Sequence, residues 1–133
     1  MPHAEYPSGS SCICKAFARY SILALGTDDL TGLIGGPLVQ VFPPGSSRVE
    51  PGITPAAKET LLYSSWTQIA QRCGETRREG GMHFNTSVPD GEDLCESIGD
   101  DVFAYFNDLA NGVVPENAPD VDAAPKQTLC QGD

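Results

Sequence analysis

In YPSGSSCICKAFARYSILALG, Tyr6 to Gly26, a Ser-Gly-Ser turn runs straight into an apolar repeat of helical period. Ile13, Ala16, Phe17, Tyr20 and Ala24 recur at steps of three and four, which predicts a helix over Ser10 to Leu25 with one apolar face. Gly26 supplies the stop. The first turn of such a helix presents unpaired N–H groups and the positive end of a dipole. Gly9 keeps a side chain out of the way there, and Ser8 and Ser10 offer hydroxyl donors, the outline of an anion site. Alone, Ser-Gly-Ser before a helix reads as an ordinary N-cap.

Outward from this helix the pattern changes. Residues from Thr27 to Gly52 are rich in Gly, Pro and Ser, with one apolar run, Pro37 to Phe42, that suits a short extended piece. A second helix is expected from Thr54 as cap and Pro55 in the first turn, with Leu62, Trp66, Ile69, Ala70 and Cys73 as its stripe and Gly74 as its end. Glu75 to Ser87 reads as a turn-rich bridge. A third helix follows, capped by Ser87 with Pro89 in its first turn, and Leu94, Cys95, Ile98, Val102, Tyr105, Phe106 and Leu109 share a stripe closed by Asn111-Gly112. The expected fold class is all-α: a helical-bundle fragment of about three main helices with a Gly/Pro-rich connecting segment. Three helices of this length cannot close a full core among themselves. Residues 1–112 are assigned to the helical domain, and 113–133, poor in large apolar residues, to an acidic Pro-containing disordered tail.

The 133 residues bound a single domain, and 18 acids against 8 bases leave a net charge of −10. That surface repels nucleic acid and anionic membranes. No stretch approaches the length of a membrane span, and the N-terminal residues show neither a basic nor an apolar signal region, so a soluble chain without a visible address is expected. Cys12, Cys14, Cys73, Cys95 and Cys130 form an odd set without a CxxC pair. The expectation is reduced, mostly buried thiols rather than a disulfide framework or zinc site.

Chemistry gathers in the bridge. Arg77 precedes His83 by six residues with Gly80 and Gly81 between them. A guanidinium fork binds tetrahedral oxyanions, and a neutral imidazole serves as nucleophile or metal ligand. The pairing of TRREGGMHFNTS, Thr76 to Ser87, with YPSGSS resembles the superfamily of vanadium-dependent haloperoxidases and type 2 phosphatidic acid phosphatases. The spelling GGMHF and the absence of spans look more like the haloperoxidase branch. The resemblance implies that Ser8 and Gly9 donate to oxygens of vanadate or phosphate, and that Arg77 clamps the oxyanion. It also implies that His83 bonds vanadium in a peroxidase or takes the phosphoryl group in a phosphatase. The cofactor implied is vanadate, acting as a Lewis acid toward hydrogen peroxide, with halide as co-substrate; the alternative is a small phosphate ester with phosphate as ligand.

Three departures limit the implied catalysis. Ser10 stands at the position of the superfamily's acid/base His, and a hydroxyl does not shuttle protons near neutral pH. Ser87 stands where an Asp orients the final His, and brings no charge. Nothing before Met1 and His3 supplies the Lys and Arg of the first motif, so a fragment that needs an upstream part of its own domain, or a homo-oligomer, is expected. A phosphatase-branch relative and a non-catalytic oxyanion-binding or interaction module stay open beside it.

Bland readings hold elsewhere. The acids from Asp90 to Asp101 suit a solvated helix face, and Trp66 suits the core. Arg72, Arg77 and Arg78 fit local neutralisation of Glu75 and Glu79 and also a positive pocket that focuses a small anion, with Arg77 turned inward and Arg72 and Arg78 outward. Asn85-Thr86-Ser87 matches a glycosylation triplet beside the site and is taken as unused.

Overall fold

The computed structural model describes residues 4–113. The helices are α1 (Gly9–Leu25), α2 (Leu30–Ile34), α3 (Trp66–Glu79), α4 (Ser87–Leu94) and α5 (Glu96–Ala110), and the strands are β1 (Leu38–Phe42) and β2 (Glu59–Tyr63). The all-α class holds, with α1 as the central helix against α3, α4 and α5. The expected first helix is present almost residue for residue. Ser8 caps it through its side chain, and Gly26 closes it at φ 72°, where a side chain would be strained.

The residues that α1 buries are not the expected stripe. Ser11, Ala18 and Ser21 face inward, whereas Ile13 is 71% exposed and Phe17 57%. The cause lies on the opposing helices, which approach through glycines. A Cβ at Gly74 of α3 would come within 2.6 Å of Val88 Cγ1 and 3.3 Å of Ser11 Oγ, and one at Gly99 of α5 within 2.6 Å of the Ala16 carbonyl oxygen. Small residues are therefore selected at the contact. Ile13, Phe17 and Leu25 of α1 are left outside, together with Ile98, Val102 and Phe106 on α5, while Tyr20, Ile22 and Leu23 are half-buried. Ile13→Asp is accordingly expected to change the stability of the isolated chain by no more than about 0.5 kcal/mol; a thermal melt checks it.

The second predicted helix starts late. Glu59 to Tyr63 are extended and pair antiparallel with β1, Leu38 opposite Tyr63 and Phe42 opposite Glu59. Thr54 caps nothing: its hydroxyl donates to Glu50 Oε2 at 2.5 Å. Ser65 is the cap, accepting from the Gln68 N–H, and the Asp28 carboxylate accepts from the Thr67 N–H at 2.8 Å. At its other end α3 runs through Gly74 to Glu79, because Gly74 is a close-approach residue rather than a terminator. The expected extended piece after Pro37 is β1.

The third predicted helix is two. α4 ends at Leu94, and Cys95 has φ −110° and ψ 9° between it and α5. Thr86, not Ser87, occupies the cap position, without a side-chain bond. Asn111 closes α5 and Gly112 follows at φ 77°, as expected.

The cysteine expectation is overturned. Cys12 bridges to Cys95, and Cys14 to Cys73. Cys12 and Cys14, two residues apart, point to different faces of α1, so one thiol reaches the α4–α5 junction and the other reaches α3. Cys130 and the predicted tail lie outside the described residues. An Arg19–Asp100 pair adds a polar tie between α1 and α5, with Arg19 Nη2 2.7 Å from Asp100 Oδ1. Hydrogen bonding to Arg19 holds the Asp100 carboxyl below its ordinary pKa. The tie is therefore present at neutral pH and is lost as pH falls through that lowered value; it is exposed and contributes little. Among the described residues, no helix is long and apolar enough to cross a membrane.

Candidate functional site

Two direct tethers join the chain around the Ser-Gly-Ser turn to the segment from His83 to Ser87. The Ser8 N–H donates to the Ser87 carbonyl at 2.8 Å, and His83 Nδ1 lies 2.5 Å from the Glu5 carbonyl oxygen. A carbonyl only accepts, so Nδ1 carries a proton, and the tautomer this selects has its lone pair on Nε2. The His83 side chain is 2% exposed. Close approach of α4 makes this contact possible: a Cβ at Gly91 would fall 2.4 Å from the Ser8 carbonyl oxygen.

Ser8 is fully buried. Its Oγ accepts from the Ser11 N–H at 3.3 Å and from the Ser11 hydroxyl at 2.8 Å, which leaves its own proton to donate. The Cys12 N–H goes to the Ser8 carbonyl at 3.0 Å. The Gly9 and Ser10 amides, the first two of α1, make no hydrogen bond among the described residues. Space around Gly9 is open, with nothing within 4 Å of the position a Cβ would take. Ser10 is half-buried in the same turn. Ahead of it, the Tyr6 hydroxyl bonds to the Asp90 carboxylate, which raises its pKa above the ordinary value.

Arg77 belongs to the last turn of α3 rather than to a loop, and its carbonyl accepts from the Met82 N–H at 2.9 Å, folding the chain back toward His83. Its Nε is buried and has no hydrogen-bond partner among the described residues. A buried guanidinium nitrogen without an acceptor fits a tetrahedral oxyanion better than it fits a structural ion pair. Arg72 does neutralise the acids, at 3.2 Å from Glu75 and 2.9 Å from Glu79. Arg78 instead lines a cavity of about 450 Å³ with Glu5, His83, Phe84 and Asn85. Ser8, Gly9 and Arg77 are not in its lining.

Glu5 is the residue that sequence reasoning passed over. Its Oε1 accepts from the Phe84 N–H at 2.8 Å and from the Ser87 hydroxyl, and lies 3.9 Å from His83 Nδ1. A lone acid near the start of an acidic chain carries no local signal for such a role.

The fold has known counterparts. Residues 1–112 match the model of the VCPO second helical-bundle domain. No curated protein matches significantly by sequence. Two solved structures of bacterial vanadium-dependent chloroperoxidase, the holo and apo types, each superpose with a TM-score of 0.69 at 34% identity over 77% of this chain. The chain spans about a fifth of the length of each, 20% of the holo and 21% of the apo chain. With a match over residues 1–112, the chain belongs to the VCPO second helical-bundle domain family and is haloperoxidase-like in origin.

Proposed function

We propose that this chain is a part of a vanadium-dependent haloperoxidase-like protein and forms two walls of its vanadate pocket. The observation that carries the proposal is the pair of tethers, Ser8 to Ser87 and His83 to Glu5, which hold the two motif turns against each other. In this proposal His83 offers the Nε2 lone pair to vanadium. Arg77 clamps oxyanion charge, and the amides of Gly9 and Ser10 with the Ser8 hydroxyl donate to the remaining oxygens. Bound vanadate supplies Lewis-acid activation of hydrogen peroxide toward a halide. Ser10 donates a hydrogen bond in the position of a proton shuttle but does not titrate near neutral pH, so proton transfer needs another group. The exposed apolar residues of α1 and α5 seat further helices of the same polypeptide or of a second copy, which complete the positive side of the pocket.

Calorimetric titration of the purified chain with orthovanadate, and with phosphate as the isosteric control, tests this. Binding is expected in the wild type, and His83→Ala and Arg77→Ala are each expected to weaken it about tenfold or more. Equal affinity in wild type and His83→Ala would remove His83 from the pocket. The isolated chain is expected to give no halide-dependent bromination of a phenol dye.

A further inference from the structure

We propose that Glu5 is the positioning residue for His83, standing in for a carboxylate that position 87 lacks. The inference rests on the pocket proposed above. Position 87 holds a serine, whose hydroxyl orients but brings no charge. Here that hydroxyl donates to Glu5 Oε1, and the same oxygen takes the Phe84 N–H at 2.8 Å. The Glu5 side chain thus grips both ends of the segment from Phe84 to Ser87. Its backbone carbonyl, on the same residue, receives the His83 Nδ1 proton. One residue therefore does three things. It pins the turn that carries His83, selects the ring tautomer with the lone pair on Nε2, and sets a negative charge 3.9 Å from Nδ1. Outer-shell partners of this kind orient ligating histidines and raise their basicity. A carboxylate reached through Ser87 from a segment 82 residues away performs the task of one supplied locally.

The test uses the full chain with selectively ¹⁵N-labelled histidine. In the wild type, the His83 ring is expected to show Nδ1 as the protonated nitrogen. Glu5→Ala keeps the backbone carbonyl but removes the carboxylate that pins Phe84 and Ser87, so the turn carrying His83 loosens from that carbonyl, the two tautomers mix, and orthovanadate binding weakens about tenfold. Glu5→Ala combined with Ser87→Asp restores the tautomer and most of the affinity, which a merely structural loss would not allow. A Glu5→Ala ring that keeps the wild-type ¹⁵N pattern overturns the proposal. Should Glu5→Ala fail to fold, isosteric Glu5→Gln replaces it: a changed ring signal or weaker vanadate binding supports the role, and wild-type values in both overturn it. If the wild type binds no vanadate, the pocket is disproved, while the ring signal still decides whether Glu5 positions His83.

Discussion

Breaking both disulfides, by reduction or by replacing Cys12 and Cys14 with Ser, unfolds the isolated chain at 25 °C. The bridges span 83 and 59 residues. Loop-closure entropy gives each alone about 4 kcal/mol, less for the inner bridge once the outer is closed, because the second loop nests inside the first. Against this stands a thin interior. Among the described residues the buried hydrophobics are Ala18, Leu30, Ala70, Val88 and Cys95, and Cys95 is itself one end of a bridge. A domain of ordinary stability has only about 5–15 kcal/mol in total, and this one buries few large side chains. Loss of either bridge is expected to lower Tm by about 10 °C or more. Melts followed by circular dichroism with and without a phosphine reductant measure it. An unchanged Tm in reductant would mean that helix packing alone holds the bundle. Of the five cysteines four are bridged, so thiol titration of the native chain should find no more than one.

Gly91→Ala is expected to cost about 2–3 kcal/mol and to weaken anion binding as well. The added Cβ would meet the Ser8 carbonyl oxygen at 2.4 Å and the Ser8 carbonyl carbon and amide nitrogen at 3.1 Å. These are backbone atoms of the turn that caps α1, and they cannot rotate aside as a long side chain can. Relief requires α4 to move from α1, which stretches the 2.8 Å bond between the Ser8 N–H and the Ser87 carbonyl. Position 87 then leaves Glu5, and His83 loses its anchor. Gly9→Ala provides the contrast: its Cβ enters open space, and it sits in the first turn of a helix, where Ala is well tolerated. A stability loss at Gly91 with none at Gly9 is the expected pattern in melts. Equal stability of Gly91→Ala and wild type would show that α4 shifts freely against α1.

Whatever rests on local spacing was legible in the chain itself. The span of α1, its Gly26 stop, the extended run after Pro37 and the closure at Asn111-Gly112 follow from period and turn chemistry over a few residues. The candidate residues Ser8, Gly9, Arg77 and His83 were likewise visible, because each sits in a short spelling of fixed spacing. Tertiary structure decided the rest, since each remaining feature depends on a partner far away in sequence. Glu59 to Tyr63 reads as the front of a helix until β1 offers it a strand to pair with. Cys12 and Cys14 look like inert thiols until the α4–α5 junction and α3 bring Cys95 and Cys73 to them. The α1 face that is buried is set by Gly74, Gly91 and Gly99, which let backbones approach closely and favour small residues at the contact, and Ile13 and Phe17 of the apolar stripe are left outward. Glu5 has no spelling at all: its role passes through a backbone carbonyl and a carboxylate whose partners lie 78 to 82 residues away, and only the folded chain puts them within reach.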